Sequence, residues 1–334
     1  MLSSNQPLVS VLLPVYNGAE FLAGGIESIL SQSYRNIELI IIDDGSSDNF
    51  LQIVGQFHDP RMRVYHQKNQ GLAAALNRAI HLAKGEYLAR QDHDDFSLPN
   101  RLEKQVTFLE GHPNCGMVGG WAEIWVENVK SERIHQHPAD NLDLKFDLLF
   151  DNPFVHSSMM LRKAVFDTVG LYSTDRLRQP PEDYELWSRV ARCFDVANIS
   201  EVLLVYREIP SSLSRAGVSP FLDRVVNLSI ENLHWATGRK FSDRDVTDLA
   251  ALNHAAYHRV SPNPSLRRLS QVVFEAADKL SATCHLPASA LRERAQFRYR
   301  NVRNHCLRHS ERRGFRHSLI DLLGVAKRIL KSEN

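Results

Sequence analysis

Apolar and polar positions alternate along the first 120 residues in a way that predicts strands separated by helices. Short apolar runs indicate four strands: Leu8 to Leu13, Ile37 to Ile42, Met62 to Tyr65 and Tyr87 to Ala89. Between these runs, apolar residues recur at the three- and four-residue spacing of amphipathic helices. Nearly unbroken apolar strands that alternate with helices indicate a parallel sheet covered on both faces. We therefore predict an α/β fold with a doubly wound, mostly parallel, Rossmann-like sheet.

Turns with candidate ligand-binding residues follow three of these strands at the point where each strand ends. The turns contain Pro14, Val15, Tyr16 and Asn17 after the first strand, Asp43 and Asp44 after the second, and Asp92, Asp94 and Asp95 after the fourth. Ligands of such sheets bind outside the carboxyl ends of the strands, so we expect the three turns to form one site. The acidic pair can accept hydrogen bonds from ribose hydroxyls and a base N–H, while Tyr16 or Pro14 offers a ring an apolar surface.

The acidic turn after the fourth strand carries the strongest chemical signal. Three like charges within four positions repel one another, so folding them together requires a compensating cation or full exposure to water. Oxygen ligands suit a hard divalent ion, Mg²⁺ or Mn²⁺, held together with phosphate oxygens. On the residues alone, a solvated turn whose Asp side chains cap the next helix is an equally good interpretation.

Two common phosphate-binding patterns are absent from the sequence. No GxGxxG motif follows the first strand, and no GxxxxGK[ST] motif occurs anywhere in the chain. The chain is therefore neither a typical dinucleotide-binding protein nor a P-loop protein. The phosphates of a nucleotide must be neutralised in another way, for which the Asp92–Asp95 turn with a metal is the candidate.

Composition and charge narrow the class of protein. With 334 residues, of which 43% are hydrophobic, the chain can bury a large core and form about two domains. A net charge of +1 gives no field that would attract nucleic acid. The four cysteines are widely spaced, which argues against a zinc site or a disulfide framework and is typical of a reducing compartment. Without a signal-peptide pattern or an apolar run of roughly 18 residues, we expect a soluble or peripheral cytoplasmic protein.

A second acidic pair, Glu182 and Asp183, follows two prolines and opens a predicted helix. Acidic residues near a helix N-terminus interact favourably with the helix dipole, so capping is the ordinary interpretation of this pair. His156 lies in a loop that enters a predicted strand. Two roles are equally open to it, namely contact with a diphosphate or an acceptor, and a buried, hydrogen-bonded structural role.

After about residue 211 the pattern becomes entirely helical. A Ser- and Gly-containing linker over 211–220 is followed by predicted helices at 222–236, 242–258 and 265–281, the second with Ser242 as its N-cap. The C-terminal tail is basic and has an apolar face near Leu319 to Leu330. This tail could contact an anionic membrane surface, or its apolar face could dock on the preceding helices.

Four segments in order resemble the motifs of a known family. They are Val9 to Asn17, Ile40 to Asp48, Asn69 to Leu72 with Asn77, and Gly85 to Asp95, which contains Asp92-His93-Asp94-Asp95. Each segment alone is a weak signal, but the four segments in this order resemble the motifs of family 2 glycosyltransferases with the GT-A fold. The resemblance covers roughly residues 7 to 210. It implies a nucleotide-sugar-binding half at 1–120 and an acceptor and catalytic half at 121–215, followed by an appended helical C-terminal region at 216–334.

The resemblance also implies roles for individual residues. Asp44 would contact the nucleotide base with Asp43 near the ribose, and Asp94 would ligate Mn²⁺ or Mg²⁺ at the diphosphate with Asp92 beside the ribose or the metal's water shell. Asp183 would be the catalytic base of an inverting transfer, with Glu182 its nearest rival. The other expected binding residues are Pro14, Val15, Tyr16, Asn17, Gly71, Asn77, His93, Arg101 and His156.

Two of these positions allow more than one interpretation. His93 stands where the family more usually has a small residue, and a side chain turned into the sheet is preferred over a metal ligand. Arg101 either orients the acidic turn or the phosphates, or forms a structural ion pair with a nearby Asp.

The expected donor is a nucleotide-diphosphate sugar, with a UDP-sugar preferred, and the expected acceptor is a glycan, free or lipid-linked. The resemblance to this family suggests a role in surface-polysaccharide or glycoconjugate synthesis, in the cytoplasm or at the inner face of the membrane. One alternative is a catalytically silent nucleotide-sugar-binding scaffold, whose signature would be loss of the base or of the metal Asp. A nucleotidyltransferase is less favoured because Pro14 to Glu20 lacks the Lys or Arg that would hold a triphosphate.

Overall fold

The computed structural model of the chain describes residues 6–126, 128–209 and 218–312. These residues form two compact units. The first runs to Leu144 and resumes from Pro153 to residue 209, and the second comprises Lys145–Asn152 and the residues from 218 onward. The predicted boundary near residue 216 and the basic tail beyond residue 312 lie outside the described residues.

The first unit is built on strands and helices in alternation. Its strands are β1 Val9–Val15, β2 Ile37–Asp43, β3 Met62–His66, β4 Tyr87–Arg90, β5 Phe96–Ser97, β6 Cys115–Val126, β7 Val129–His135, β8 Met160–Arg162 and β9 Asp195–Glu208. Its helices are α1 Ala19–Leu30, α2 Phe50–Val54, α3 Leu72–Leu82, α4 Arg101–Gly111, α6 Val165–Val169 and α7 Glu182–Cys193. Helix α5, Asn141–Asp147, begins in this unit and ends in the second.

The described strands form a single sheet in the order β3-β2-β1-β4-β8-β6-β9-β5, with β7 paired to β6. Strands β1 to β4 are parallel neighbours, as the continuous apolar runs predicted. The second half is mixed, because β8 pairs antiparallel with both β4 and β6, whereas β6 and β9 are parallel. The predicted α/β fold is thus confirmed.

Burial explains why these strands have no alternating pattern. Every residue of β1 and β2 is buried, so both faces of these strands are covered and are apolar except at the hydrogen-bonded Ser10, Glu38 and Asp43. Helix α1 packs Leu22, Ile26 and Ile29 onto the sheet, at the spacing of one helix face.

The parallel half of the sheet positions the candidate site. Strand β1 lies between β2 and β4, with Val15 opposite Asp43 and Leu12 opposite Arg90. Parallel neighbours end at the same edge, so the turns after β1, β2 and β4 open side by side, as expected.

The second unit is helical in its described part, as predicted. It contains α8 Val218–Thr237, α9 Arg244–Asn253, α10 Leu266–Cys284 and α11 Ala288–Arg312. The N-cap of α9 is Asp243 rather than the predicted Ser242, because the Asp243 carboxylate accepts a hydrogen bond from the Asp245 N–H at 2.8 Å. The helix also ends at Asn253, five residues earlier than predicted. No helix in the described ranges is long and apolar enough to cross a membrane.

Candidate functional site

The turns after β1 and β2 are hydrogen-bonded to each other through Asn17. Its N–H donates to the Ser46 hydroxyl at 3.0 Å, and its side-chain oxygen accepts from the Ser47 N–H at 2.8 Å. Asn17 has a φ of 51°, a left-handed conformation that asparagine tolerates better than most residues. Pro14 and Val15 are buried, whereas Tyr16 is 53% exposed, so Tyr16 is the ring that this turn offers to a ligand.

Asp43, at the end of β2, is held as a carboxylate by its neighbours. Its oxygens accept from the Ser46 N–H and from His66 Nδ1, each at 2.9 Å. Burial raises the pKa of Asp43, but the hydrogen bonds from His66 and Ser46 outweigh burial and the pKa is lowered overall. Asp43 is therefore an ionised acceptor at the predicted ribose position.

Asp44 organises the loop that precedes α3. One carboxylate oxygen accepts from Gln67 Nε2 at 2.7 Å and from the Gln70 N–H at 2.9 Å, and the other accepts from the Gly71 N–H at 2.8 Å. Gly71 has a φ of 93°, which favours glycine at this position. The side chain is buried among these donors, and the predicted contact with a base remains a prediction.

Asn77, within α3, joins this helix to the segment around Tyr172. Its amide nitrogen donates to the Tyr172 carbonyl at 2.9 Å, and its amide oxygen accepts from the Tyr172 N–H at 3.0 Å. The structure therefore places Asn77 as a positioning residue, and its predicted contact with the nucleotide rests on the resemblance alone.

The compensating cation that the acidic turn requires is in part the protein's own Arg90. Its guanidinium is 2% exposed and binds one Asp92 oxygen, while the Ser157 hydroxyl donates to the other. Burial raises the pKa of Asp92, but the charge of Arg90 and the hydrogen bonds from Ser157 and Arg90 together outweigh burial and hold the pKa well below its usual range. No sequence pattern singles out Arg90. Ser157 lies 65 residues further along the chain, so its contact with Asp92 could not be expected from the sequence.

The charges of Asp94 and Asp95 are less well compensated. Burial, followed by the nearby Asp92 carboxylate, raises the pKa of Asp94, which is partly exposed. Asp95 is 1% exposed, and burial and the charge of Asp94 raise its pKa well above the usual range. One Asp95 oxygen accepts from the Arg207 N–H at 2.8 Å, and the other is buried without a partner. This excess of negative charge fits a divalent cation.

The protein provides only part of the ligand set for such a cation. Among residues 6–126, 128–209 and 218–312, no group of three or more His, Cys, Asp or Glu side chains could hold a metal ion. A metal at this turn would therefore depend on ligands from the substrate, and diphosphate oxygens are the ligands that Mg²⁺ ordinarily takes in addition to one or two carboxylates.

Arg207, near the end of β9, lies at the site although no pattern in the sequence points to it. Its guanidinium lies between the rings of Phe21 and Phe96, 4.4 and 4.6 Å from their centroids, and its N–H holds Asp95. Burial lowers the pKa of Arg207, an effect that Asp94 and Asp95 oppose. It reaches the acidic turn only because β5 pairs with β9, a contact across more than one hundred residues of chain.

Arg101 supports the acidic turn from inside the protein. It is fully buried, and its five N–H groups donate to Gln105, Gln91, Ser97 and the carbonyls of Arg90 and Met159. Burial and the like charge of Arg90 lower its pKa to about 9. The structure favours the loop-orienting interpretation of Arg101, because no donor remains for a phosphate and no carboxylate is among its partners.

His93 packs beside the first turn rather than inside the sheet. The ring lies so close to Gly18 that a Cβ added there would be 2.1 Å from His93 Cδ2. The side chain is only partly buried. It therefore lies between the acidic turn and the start of α1.

Glu182 and Asp183 occupy the first turn of α7, beside the acidic turn. Burial, followed by the charge of Asp183, raises the pKa of Glu182 to about 7. The charges of Arg90 and Asp92 also act on Glu182, so the acidic pair and the acidic turn lie within electrostatic reach. Asp183 is partly exposed, and one of its oxygens accepts from the Tyr184 N–H at 2.7 Å.

His156 connects these groups. Its Nε2 lies 3.1 Å from the Tyr172 hydroxyl, and its Nδ1 lies 3.8 Å from a Glu182 oxygen. Burial and the charge of Arg90 lower the pKa of His156 to about 3, so the ring is neutral near pH 7. Of the two roles open from the sequence, the geometry favours the buried, hydrogen-bonded histidine. Tyr172 was not expected here.

Comparison with known proteins finds glycosyltransferases. Residues 10–170 match the model of "Glycosyl transferase family 2". The chain is 38% identical over 227 residues to "Putative glycosyltransferase EpsE" of Bacillus subtilis (strain 168), covering 66% of this chain and 80% of that protein. It is also 30% identical over 290 residues to an uncharacterized glycosyltransferase of Haemophilus influenzae, covering 84% of this chain and 89% of that protein.

Solved structures resemble this chain in fold. A crystal structure of S. aureus TarS 1-349 in complex with UDP-GlcNAc aligns with a TM-score of 0.61 and 18% identity, over 94% of this chain and 93% of that one. The mannosyltransferase PcManGT from Pyrobaculum calidifontis, in complex with GDP-Man and Mn²⁺, aligns with a TM-score of 0.52 and 20% identity over 92% and 85% of the two chains. These likenesses confirm the predicted GT-A type fold with C-terminal helices.

Proposed function

The chain belongs to glycosyltransferase family 2 and is a glycosyltransferase, and from this premise we propose a metal-dependent, inverting transfer from a nucleotide-diphosphate sugar to an acceptor hydroxyl. The observation that carries the proposal is the grouping of the Asp92–Asp95 turn with Glu182 and Asp183 at one edge of the sheet. This arrangement supplies an undercompensated acidic turn for a metal diphosphate and, beside it, carboxylates that can take a proton.

The nucleoside is proposed to lie over the turns after β1 and β2. The exposed Tyr16 ring would contact the base, and Asp43, an ionised acceptor, would accept from the ribose hydroxyls. Asp44 would contact the base through the oxygen that, among the described residues, accepts only from Gly71, since a carboxylate oxygen can accept two hydrogen bonds.

The diphosphate is proposed to lie over the acidic turn. Asp94 would be the metal ligand, because the structure shows no hydrogen bond from another described residue to its carboxylate. Asp92, already bound to Arg90 and Ser157, would lie beside the metal and hold the turn. When bound, Mn²⁺ or Mg²⁺ would act as a Lewis acid on the charge of the departing nucleoside diphosphate.

Asp183 is proposed as the general base, and Glu182 is the rival for this role. A sugar hydroxyl is a poor nucleophile, and a carboxylate within hydrogen-bond reach can take its proton during the attack. The hydroxyl oxygen forms a bond to the anomeric carbon, the bond from that carbon to the diphosphate oxygen breaks, and the electron pair leaves with the diphosphate. Attack opposite the leaving group inverts the anomeric configuration.

The substrates are proposed at the level of chemical class. TarS has been crystallised with UDP-GlcNAc and PcManGT with GDP-Man, so a nucleotide-diphosphate sugar is supported while the base is open between uracil and guanine. We retain a UDP-sugar as the preferred donor and a glycan, free or lipid-linked, as the acceptor. A cytoplasmic enzyme of surface-polysaccharide synthesis, at the inner face of the membrane, is the corresponding cellular role.

Thermal unfolding with a panel of nucleotides tests the donor class. A ligand at about one hundred times its dissociation constant adds roughly 2.7 kcal/mol to the folded state, which raises Tm measurably. We expect UDP or GDP, but not CMP or ADP, to raise Tm, and only with Mn²⁺ or Mg²⁺ present. The Asp94→Asn variant should lose this metal-dependent rise. Equal stabilisation with and without metal would overturn the metal assignment, and binding without any transfer would favour the scaffold alternative.

A further inference from the structure

The second unit contains a polar cavity that has no part in the proposed reaction. It has a volume of about 290 Å³ and is lined by Asn253 of α9 and by Arg298, Asn301, Val302, Asn304, His305 and Arg308 of α11. The lining residues of α11 recur at spacings of three and four, so they share one face of that helix. The volume is at the small end of ligand sites, which fits a compact group rather than an extended chain.

The lining is rich in hydrogen-bond donors and contains no acidic residue. Two arginines contribute permanent positive charge, and three asparagines add amide donors. A cation would meet repulsion and few anionic ligands here. The lining is therefore matched to an anion with several acceptor oxygens.

Arg298 is fixed in place while much of its donor capacity is unused. Its guanidinium lies 4.8 Å from the centroid of the Phe150 ring, and it donates to Asn253 Oδ1 at 3.0 Å and to Asp147 Oδ1 at 2.8 Å. Since these are two of five N–H groups, three make no hydrogen bond within the described residues. Arg294 binds the other Asp147 oxygen, so this one carboxylate is shared between two guanidiniums.

The remaining lining groups are also available or pre-oriented. Arg308 is exposed and forms no ion pair within the described parts of the chain, and Asn301 and Asn304 make no hydrogen bond to other described side chains. His305 is oriented by the Tyr257 hydroxyl, 3.1 Å from its Nδ1, which leaves Nε2 for a ligand. These donors therefore have no described side-chain partner to give up when a ligand binds.

We propose that this cavity binds a phosphoryl group, carried by a soluble phosphorylated compound or by a lipid headgroup. Arginine forks match the geometry of phosphate oxygens, and the amide donors of Asn can bind those that the guanidiniums leave. The site is distinct from the turns after β1, β2 and β4, because all of its lining residues belong to the second unit. The proposal does not depend on the proposed transfer reaction.

Calorimetric titration of the full chain with inorganic pyrophosphate in EDTA tests the site. EDTA removes the divalent metal on which diphosphate binding at the acidic turn is proposed to depend, so the remaining heat reports on the cavity. We expect Arg308→Gln to weaken pyrophosphate binding about tenfold, since a charge-assisted hydrogen bond is lost. Asn304→Asp, which preserves size but places a negative charge in the lining, should weaken it at least as much.

Arg300→Gln is the matched control, since Arg300 is an exposed arginine on α11 that does not line the cavity. Its affinity for pyrophosphate should stay within about twofold of the unmodified chain. The proposal is overturned if the unmodified chain binds no pyrophosphate, if Arg308→Gln and Asn304→Asp bind normally, or if Arg300→Gln loses as much as Arg308→Gln. The last result would indicate that pyrophosphate binds through the general positive charge of α11 and not through the cavity.

Sedimentation with vesicles distinguishes the two sources of the phosphoryl group. If phosphatidic acid in phosphatidylcholine vesicles captures the unmodified chain, and if Arg308→Gln or added pyrophosphate releases it, the group belongs to a lipid headgroup. Pyrophosphate binding without such capture assigns the site to a soluble phosphorylated compound. Metal-dependent stabilisation by nucleotides should be unchanged in Arg308→Gln, so failure of this proposal and failure of the proposed transfer can be told apart.

Discussion

Arg90 is the residue on which the charge of the acidic turn depends. It is buried beside Asp92 and acts electrostatically on Glu182 and His156 as well. Its Nε and Nη1 are buried without a partner, so its desolvation is offset mainly by the ion pair with Asp92. A buried charge held by one partner makes each member of the pair necessary to the other.

Replacing Arg90 should therefore destabilise the protein. We expect Arg90→Met to lower the free energy of unfolding by roughly 2–3 kcal/mol, less than for a fully buried pair because the Asp92 side chain is 28% exposed. Arg90→Lys, which keeps the charge but not the planar fork, should lose about half as much. Urea unfolding followed by tryptophan fluorescence measures the difference, and an unchanged midpoint in Arg90→Met would contradict this role.

Asp183 is expected to act in the chemical step rather than in donor binding. Asp183→Asn should reduce kcat by about a thousandfold or more, because general-base catalysis contributes factors of that order, with the nucleotide affinity nearly unchanged. Initial rates and nucleotide titration measure the two effects. Glu182→Gln is the matched control, because it replaces the neighbouring carboxylate by an amide in the same way. If kcat falls further in Glu182→Gln than in Asp183→Asn, the general base is Glu182.

The sequence identified the acidic residues but not the groups that hold them. Asp92, Asp94 and Asp95 lie within four positions and follow an apolar strand, so their spacing alone identifies them as candidates. Ser157 and Arg207 come to the turn from 65 and 112 residues away, measured from Asp92 and Asp95. Such partners are fixed by strand pairing, which a single sequence does not encode locally.

Among the helices and strands, the parallel half of the sheet was predictable because the full burial of β1, β2 and β4 produces nearly continuous apolar runs. Strands β5 and β8 have two and three residues, and their pairing with β9, β4 and β6 defines them rather than any pattern of their own. The same limit applies to helix ends, where one residue of displacement exchanges Ser242 for Asp243 as the cap of α9.

The cap assignment can be tested by local hydrogen exchange. Asp243→Ala should speed exchange of the Asp245 N–H about five- to tenfold, because loss of an N-cap costs about 1 kcal/mol. Asp243→Asn retains a capping oxygen while removing the charge that pairs with Arg239, and should stay near the unmodified rate. Faster exchange in Ser242→Ala, rather than in Asp243→Ala, would restore the assignment made from the sequence.

For the protein as a whole, Glu182 links folding to pH. Its pKa rises from 4.5 in the unfolded chain to about 7 in the folded state, so between these values the folded state binds more protons. The contribution of Glu182 is therefore fully present below pH 4.5 and is lost as the pH rises through 7. Glu182→Gln should gain stability relative to the unmodified chain as the pH rises across this window. Urea unfolding of both proteins at about pH 4.5 and pH 7 measures this difference in stability. If the stabilities of the unmodified chain and of Glu182→Gln change in parallel with pH, the raised pKa of Glu182 is contradicted.

Helix α3 connects the two ends of the candidate site. The loop at its N-terminus is held by Asp44, and five residues into the helix Asn77 holds the backbone of Tyr172, whose hydroxyl contacts His156 next to Glu182. If the base contacts Asp44 as proposed, a base that fits poorly there would disturb the support of the proposed catalytic carboxylates. Discrimination between nucleotides should then appear as slower turnover of the wrong donor, and not only as its weaker capture.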